Sequence, residues 1–166
     1  MPLVTIALGA NLGTPLETLR AVVRDIRACE EFRNVRVSRF YDTSPVDSSG
    51  PDYVNAVLTA DTPLSPEEVL KALQGWEAAY GRVRPVGVVN APRTLDLDVL
   101  LYEGVRRSAP HLTIPHPRMK ERLFVLVPWS DLVGEDYVFD GERLGDRIAA
   151  VRAKDPSQAI AFLAEN

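Results

Sequence analysis

Two acids one residue apart, Asp96 and Asp98, stand in the segment Pro92-Arg93-Thr94-Leu95-Asp96-Leu97-Asp98-Val99-Leu100-Leu101-Tyr102. Side chains of a strand alternate between faces. The spacing predicts Leu95, Leu97, Val99 and Leu101 on one face and Asp96, Asp98, Leu100 and Tyr102 on the other. Both carboxylates then project the same way, about 6.6 Å apart along the strand. Two acids on an apolar strand repel each other and cost desolvation unless a cation sits over them. A magnesium ion fits, because it takes oxygen ligands from one or two carboxylates plus substrate phosphates; the plain alternative is a strand with a solvated face and two ordinary surface acids. Two such ions about 3.5–4 Å apart can be served by two strand acids.

The cations needed to hold phosphates flank that strand. Arg82 and Arg84 follow the end of a helical pattern, and Arg93 opens the acidic strand. After it comes Ile114-Pro115-His116-Pro117-Arg118-Met119-Lys120-Glu121-Arg122, four potential cations within seven residues. The prolines on either side fix the backbone of His116, and a fixed histidine near cations suits a phosphate. Arg118 and Lys120 read as an ordinary solvated face. The chain lacks G-x-x-x-x-G-K-[S/T] and G-x-G-x-x-G, so it is neither a P-loop enzyme nor a protein kinase.

The elements that position these groups follow from periodicity and punctuation. Residues 3–8 form a strand, Gly9-Ala10-Asn11-Leu12-Gly13 a turn, and Thr14-Pro15-Leu16-Glu17 a capping box opening a helix with Leu16, Leu19, Val23 and Ile26 inward. Val35 to Tyr41 alternate as one strand, with Val37 and Tyr41 sharing a face. Residues 42–51 form a long polar loop. Tyr53 to Thr62 is a strand on which Asn55 wants a hydrogen-bond partner, either a polar heterocycle or a neighbouring loop. Ser65-Pro66-Glu67-Glu68 opens a second helix ending at Gly81, with Glu77 on or beside its buried stripe and Gln74 one turn back. A buried Glu77 needs a partner, either an arginine past the helix end or a ligand. A hairpin near 105–113, a helix over 121–132, a short strand at 137–139, a helix over 142–152 and a tail helix opened by Asp155-Pro156-Ser157-Gln158 complete the chain.

Composition bounds the rest. The 166 residues, 46% hydrophobic and 25% charged, suit one domain with a real core. A net charge of −4 argues against a nucleic-acid surface over the whole protein. Of the 19 basic residues 16 are arginine; coding bias accounts for most of them, and only clustered arginines, whose planar fork matches phosphate, count towards phosphate recognition. Cys29 is the single cysteine, so neither an intrachain disulfide nor a cysteine metal cluster forms. The N-terminus lacks a basic n-region, and no apolar run approaches a membrane span. The expected setting is the cytoplasm, with no membrane or nucleic-acid partner and a monomeric state.

Six blocks carry a resemblance: A-L-G-A-N-L-G (7–13), F-Y-D-T-S-P (40–45), P-D-Y-V-N-A (51–56), E-A-A-Y-G-R-V-R (77–84), A-P-R-T-L-D-L-D-V-L-L-Y (91–102) and L-T-I-P-H-P-R-M-K-E-R-L-F-V-L-V-P (112–128). In content and order they resemble the 6-hydroxymethyl-7,8-dihydropterin pyrophosphokinase family of folate biosynthesis. The resemblance implies a ferredoxin-like α+β domain, a mainly antiparallel sheet with helices packed on it; the chain is read as that single domain over 1–166, with residues 152–166, which have no clear counterpart in the family, as a helical extension from their capping pattern. The resemblance also implies transfer of diphosphate from ATP to the pterin hydroxymethyl group, leaving AMP. Asp96 and Asp98 would hold two magnesium ions, with Arg82 and Arg93 closest to the chemistry. Gln74, Glu77, Arg84, Arg93, Val99, His116 and Arg122 would contact ATP. Thr43, Val46, Tyr53, Asn55, Asp96 and Phe124 would form the pterin slot. Many members carry a tryptophan before the G-P-R of the catalytic loop; Val88-Val89-Asn90-Ala91-Pro92-Arg93 has none. The alternatives are another magnesium-dependent phosphoryl or nucleotidyl transferase, and a non-catalytic ferredoxin-like binding domain.

Overall fold

A computed structural model describes residues 1–44, 52–81 and 95–165. The elements run β1 (Leu3–Ala10), α1 (Pro15–Ala28), β2 (Arg33–Val37), β3 (Phe40–Thr43), β4 (Tyr53–Asp61), α2 (Pro66–Ala79), β5 (Asp96–Tyr102), β6 (Arg107–Ala109), β7 (Leu112–Ile114), α3 (Leu123–Val133), β8 (Val138–Phe139), β9 (Glu142–Arg143), α4 (Leu144–Lys154) and β10 (Ile160–Ala164). The main sheet has the order β10-β3-β4-β1-β5, with β2 also on β4, and every pair is antiparallel. Taking β2 and β3 as one interrupted strand, this is the β-α-β-β-α-β arrangement of a ferredoxin-like α+β domain.

Each face of the sheet carries its own core. Val4, Ile6, Leu8 and Ala10 of β1 meet Leu19, Val22, Val23 and Ile26 of α1 and Val69 and Leu73 of α2. On the opposite face Val57 and Leu100 meet Leu123, Val125, Leu126 and Trp129 of α3 and Ile148 and Val151 of α4. β1 is therefore buried on both faces between β4 and β5.

Two irregularities break the alternation expected from the sequence. The segment expected as one strand over 35–41 is split at Ser38–Arg39. Val37 faces Leu58 of β4, whereas Tyr41 faces Asn55, so one extra residue lies between them. Ser38 fills the break: its N–H donates to Val57 O and its Oγ accepts from Val57 N–H, each at 2.9 Å. The extra residue reverses side-chain parity. Val37 and Phe40 enter the core under α1, while Tyr41 turns to the other face and donates to Asp131 of α3 at 2.7 Å.

A second bulge lies in β5. Thr5 pairs with Leu101 and Ile6 with Val99, leaving Leu100 as the extra residue. Leu97 and Val99 stay in the core under α1 and α2, as expected. Tyr102, expected beside the acids, joins that same core, and Leu101 crosses to the α3 side with Leu100.

Two capping expectations divide. Ser65 and Glu68 form a full capping box, with Ser65 N–H to Glu68 at 2.9 Å and Glu68 N–H to Ser65 Oγ at 3.2 Å. Thr14 makes no side-chain cap bond, and α1 starts on Pro15 alone. The expected tail helix is instead β10, the sheet's edge strand on β3. Asp155 and Ser157 bond to each other, and Gln158 turns back to α3, donating to Glu121 O at 2.8 Å and accepting from Leu123 N–H at 2.9 Å. With its capping groups used this way and an unpaired edge of β3 alongside, the last segment extends rather than coils.

Candidate active site

The sheet brings the two halves of the expected site to one level. Gly9 of β1 pairs with Asn55 of β4 on one side and with Asp96 of β5 on the other. Directly paired residues share a face, so Asn55 and Asp96 flank a residue with no side chain, two strand spacings or about 10 Å apart. One level further, Ala7 pairs with Asp98. Both acids are half-buried and face the α3 side of the sheet, as the strand reading required.

Asn55 is held from two directions. It is 7% exposed, its Oδ1 accepts from Thr43 Oγ1 at 2.5 Å, and its Nδ2 donates to Leu8 O at 3.4 Å. A primary amide has two donors and two acceptor lone pairs. One of each is used here, leaving one donor and one acceptor in the amide plane for a ligand. Both sources of a partner for Asn55 are thus compatible: the neighbouring strand orients it and a heterocycle can complete it. Tyr53 stands half-buried at the start of β4, opposite Thr43. Phe124 lies in the first turn of α3, with the Arg122 guanidinium 5.3 Å from its ring centroid.

Glu77 is 5% exposed on α2, and its Oε2 accepts from Leu97 N–H at 2.9 Å. That N–H belongs to the residue between the two acids. Among the described residues β5 is the sheet's edge, and its outward N–H groups have no strand partner there. Glu77 meets one of them and fixes the backbone from which Asp96 and Asp98 project. The arginines expected past the helix end, Arg82 and Arg84, lie outside the described residues; the backbone of the acidic strand is a partner that the sequence did not suggest. Gln74, one turn back, is exposed. Val99 is 4% exposed with its side chain in the α1–α2 core, so only its backbone can serve a nucleotide. By strand alternation its N–H points to the same open edge as that of Leu97.

The bulge in β5 seats His116. The carbonyl of the extra residue, Leu100, accepts His116 N–H at 2.9 Å. Nδ1 of His116 accepts from Arg118 N–H at 3.2 Å, which assigns the neutral ring's proton to Nε2, the free donor. Burial holds the imidazole below its usual pKa, aided by Arg122 and Arg118, while Asp96 pulls the other way. The charges of Arg122 and Asp96 thus both reach the His116 ring. Val46, Arg82, Arg84 and Arg93 lie outside the described residues.

One polar residue in this region had no role in the sequence reading. Asn11, just past β1 beyond the Asn55–Gly9–Asp96 level, is 4% exposed, and neither its Oδ1 nor its Nδ2 has a hydrogen-bond partner among the described residues. Buried polar groups are nearly always paired, so an amide of this kind beside a candidate site suits a polar ligand. The only sequence signal was its place in A-L-G-A-N-L-G, where it read as a turn residue.

For a metal ion the donor set is two carboxylates. Among the described residues no group of three or more His, Cys, Asp or Glu side chains converges. Hard oxygen donors, few in number, match magnesium, which keeps waters and takes phosphate oxygens as its other ligands. They do not match zinc, which prefers four protein ligands of nitrogen and sulfur in closed sites.

A family model described as 7,8-dihydro-6-hydroxymethylpterin-pyrophosphokinase matches residues 5–134. The chain belongs to this pyrophosphokinase family. A 2-amino-4-hydroxy-6-hydroxymethyldihydropteridine pyrophosphokinase of Pseudomonas aeruginosa is 40% identical over 148 residues, covering 89% of this chain and 90% of the relative. The enzyme of the same name from Haemophilus influenzae is 43% identical, over 78% of this chain and 81% of the relative. The crystal structure of Plasmodium falciparum HPPK-DHPS wild type with SDX-DHP superposes with a TM-score of 0.66 at 11% identity, over 93% of this chain. This chain spans 44% of that longer one, and the likeness establishes the pyrophosphokinase fold.

Proposed function

We infer that this protein transfers the β,γ-diphosphate of ATP to the hydroxymethyl oxygen of 6-hydroxymethyl-7,8-dihydropterin, releasing AMP. The observation that carries the reading is the pairing of Asn55 and Asp96 across Gly9 on one sheet face. It sets a heterocycle-binding amide and a metal-binding acid at opposite ends of one slot. In the reaction the hydroxymethyl oxygen bonds to the β-phosphorus. The bond from that phosphorus to the oxygen shared with the α-phosphate breaks, and the hydroxyl proton is lost.

Positioning and charge compensation supply most of the catalysis in such transfers. Asn55 and Thr43 fix the heterocycle edge-on, with Tyr53 and Phe124 as its aromatic walls. Asp96 and Asp98 would hold magnesium, two ions in this reading, whose chemistry is to neutralise the phosphate oxygens. Glu77 keeps the two acids in place through Leu97 N–H. Nε2–H of His116 and the Arg122 guanidinium donate to phosphate oxygens, and the edge backbone at Val99 serves the base of ATP. Arg82, Arg84 and Arg93 are assigned phosphate contacts through the family resemblance. The orphaned amide of Asn11 adds a donor and an acceptor for the bound reactants. Among the described residues no helix is long and apolar enough to cross a membrane; a cytoplasmic monomer completes the reading.

Incubation with magnesium, ATP and the reduced pterin should yield AMP only when all three are present. ADP as product, or turnover independent of the pterin, would refute the reading. Asp98→Ala should abolish AMP formation while thermal unfolding stays within a few degrees; an equal loss of stability would make the acid structural.

A further inference from the structure

We propose that Gly9 is a specificity-determining position, whose missing side chain reserves the place of the Asn55 amide and the floor of the pterin slot. Its backbone needs no glycine: it lies within β1, and no left-handed φ is recorded there. The need is for space. A Cβ built on Gly9 would stand 2.9 Å from Asn55 Nδ2 and 3.8 Å from Tyr53 Cδ1, two side chains assigned to the pterin. The first distance is shorter than real Cβ contacts, so something must yield.

The amide has little room to yield. It is 7% exposed, and hydrogen bonds to Thr43 and Leu8 hold its two ends. The backbone of Gly9 is equally fixed, because β1 pairs on both sides. A methyl group at position 9 therefore turns the amide away from Leu8 O and tilts the donor–acceptor pair it offers. It also projects into the gap between Asn55 and Asp96, where the flat bicycle would lie.

This inference rests on Asn55 binding the pterin, and a double-mutant cycle separates the two claims. Pterin affinity is measured with a non-hydrolysable ATP analogue present, for the wild type, Gly9→Ala, Asn55→Ala and the double variant. Affinity for the analogue alone reports the integrity of the fold. Gly9→Ala should weaken the pterin about tenfold or more, the loss expected for one misaligned polar contact. The analogue affinity should stay within about twofold, and Gly9→Ala should add much less in the Asn55→Ala background. A full, additive loss in that background, or no loss in the single variant, overturns the role of Gly9 and leaves the slot standing. Unchanged affinity in Asn55→Ala overturns the slot and the inference together. Should Gly9→Ala fail to fold, Thr43→Val releases the same amide from its other anchor and must show the same dependence on Asn55.

Discussion

Replacing Asn11 by leucine should make the protein more stable and less active. The side chain is 4% exposed, and both its polar atoms lack partners among the described residues. Burying an amide without its hydrogen bonds costs about 1–3 kcal/mol on the scale of protein mutational data. Leucine branches at the same carbon and has a similar shape, so the substitution removes that cost without opening a cavity. For a chain of this size 1 kcal/mol corresponds to about 2–4 °C in Tm. The gain is then roughly 2–12 °C, read by calorimetry. Activity should move the other way. If the amide meets the reactants, losing it removes about 1–3 kcal/mol of transition-state binding, or about 5- to 150-fold in kcat/KM for AMP formation. A fall in Tm with activity retained would refute the reasoning, because it would mean that the amide is paired within the fold.

Two further perturbations test the supports of the site. His116 should titrate below its ordinary value in the free protein, read from its imidazole resonances. Its folded pKa is depressed, so the unfolded chain binds more protons. Its contribution to stability is therefore intact above about pH 6.5 and lost as pH falls through the folded value. His116→Gln should flatten that part of the pH–stability curve, and an unchanged slope would remove the assignment. Asp131→Ala strands the buried Tyr41 hydroxyl and should cost about 1–3 kcal/mol in denaturant unfolding. In the wild type, burial and Asp131 push Tyr41 up to about 12. That contribution is full below about pH 10 and disappears between 10 and 12. An ultraviolet titration in which Asp131→Asn leaves Tyr41 unmoved would contradict the pairing.

The sequence carried the acidic strand as far as Leu100 and failed at Leu101, just past the extra residue. Alternation predicts faces only while the register holds, and an extra residue leaves no mark on composition. Val35 to Tyr41 failed for the same reason: Ser38 looks like one more polar position on a regular strand. Glu77 could be placed on the buried stripe of its helix because the helical period is local. Its bond to Leu97 joins two elements and could not be read from either. The tail misled through its capping residues, which bond to the start of α3 and to one another instead of opening a helix. Asn11 was invisible because a turn asparagine is ordinary; its burial without partners among the described residues is a property of the assembled sheet.

The bulge at Leu100 has an electrostatic consequence. A regular strand cannot place neighbouring residues on one face, yet Leu100 and Leu101 both lie against the α3 core. The face that carries Asp96 and Asp98 thus changes within two residues from carboxylates to a dry apolar wall. Charges beside such a boundary lose part of the aqueous medium that screens them, and their pull on a nearby cation strengthens. One inserted residue thereby sets a dielectric edge directly behind the acids, open to water and phosphate on one side and closed on the other.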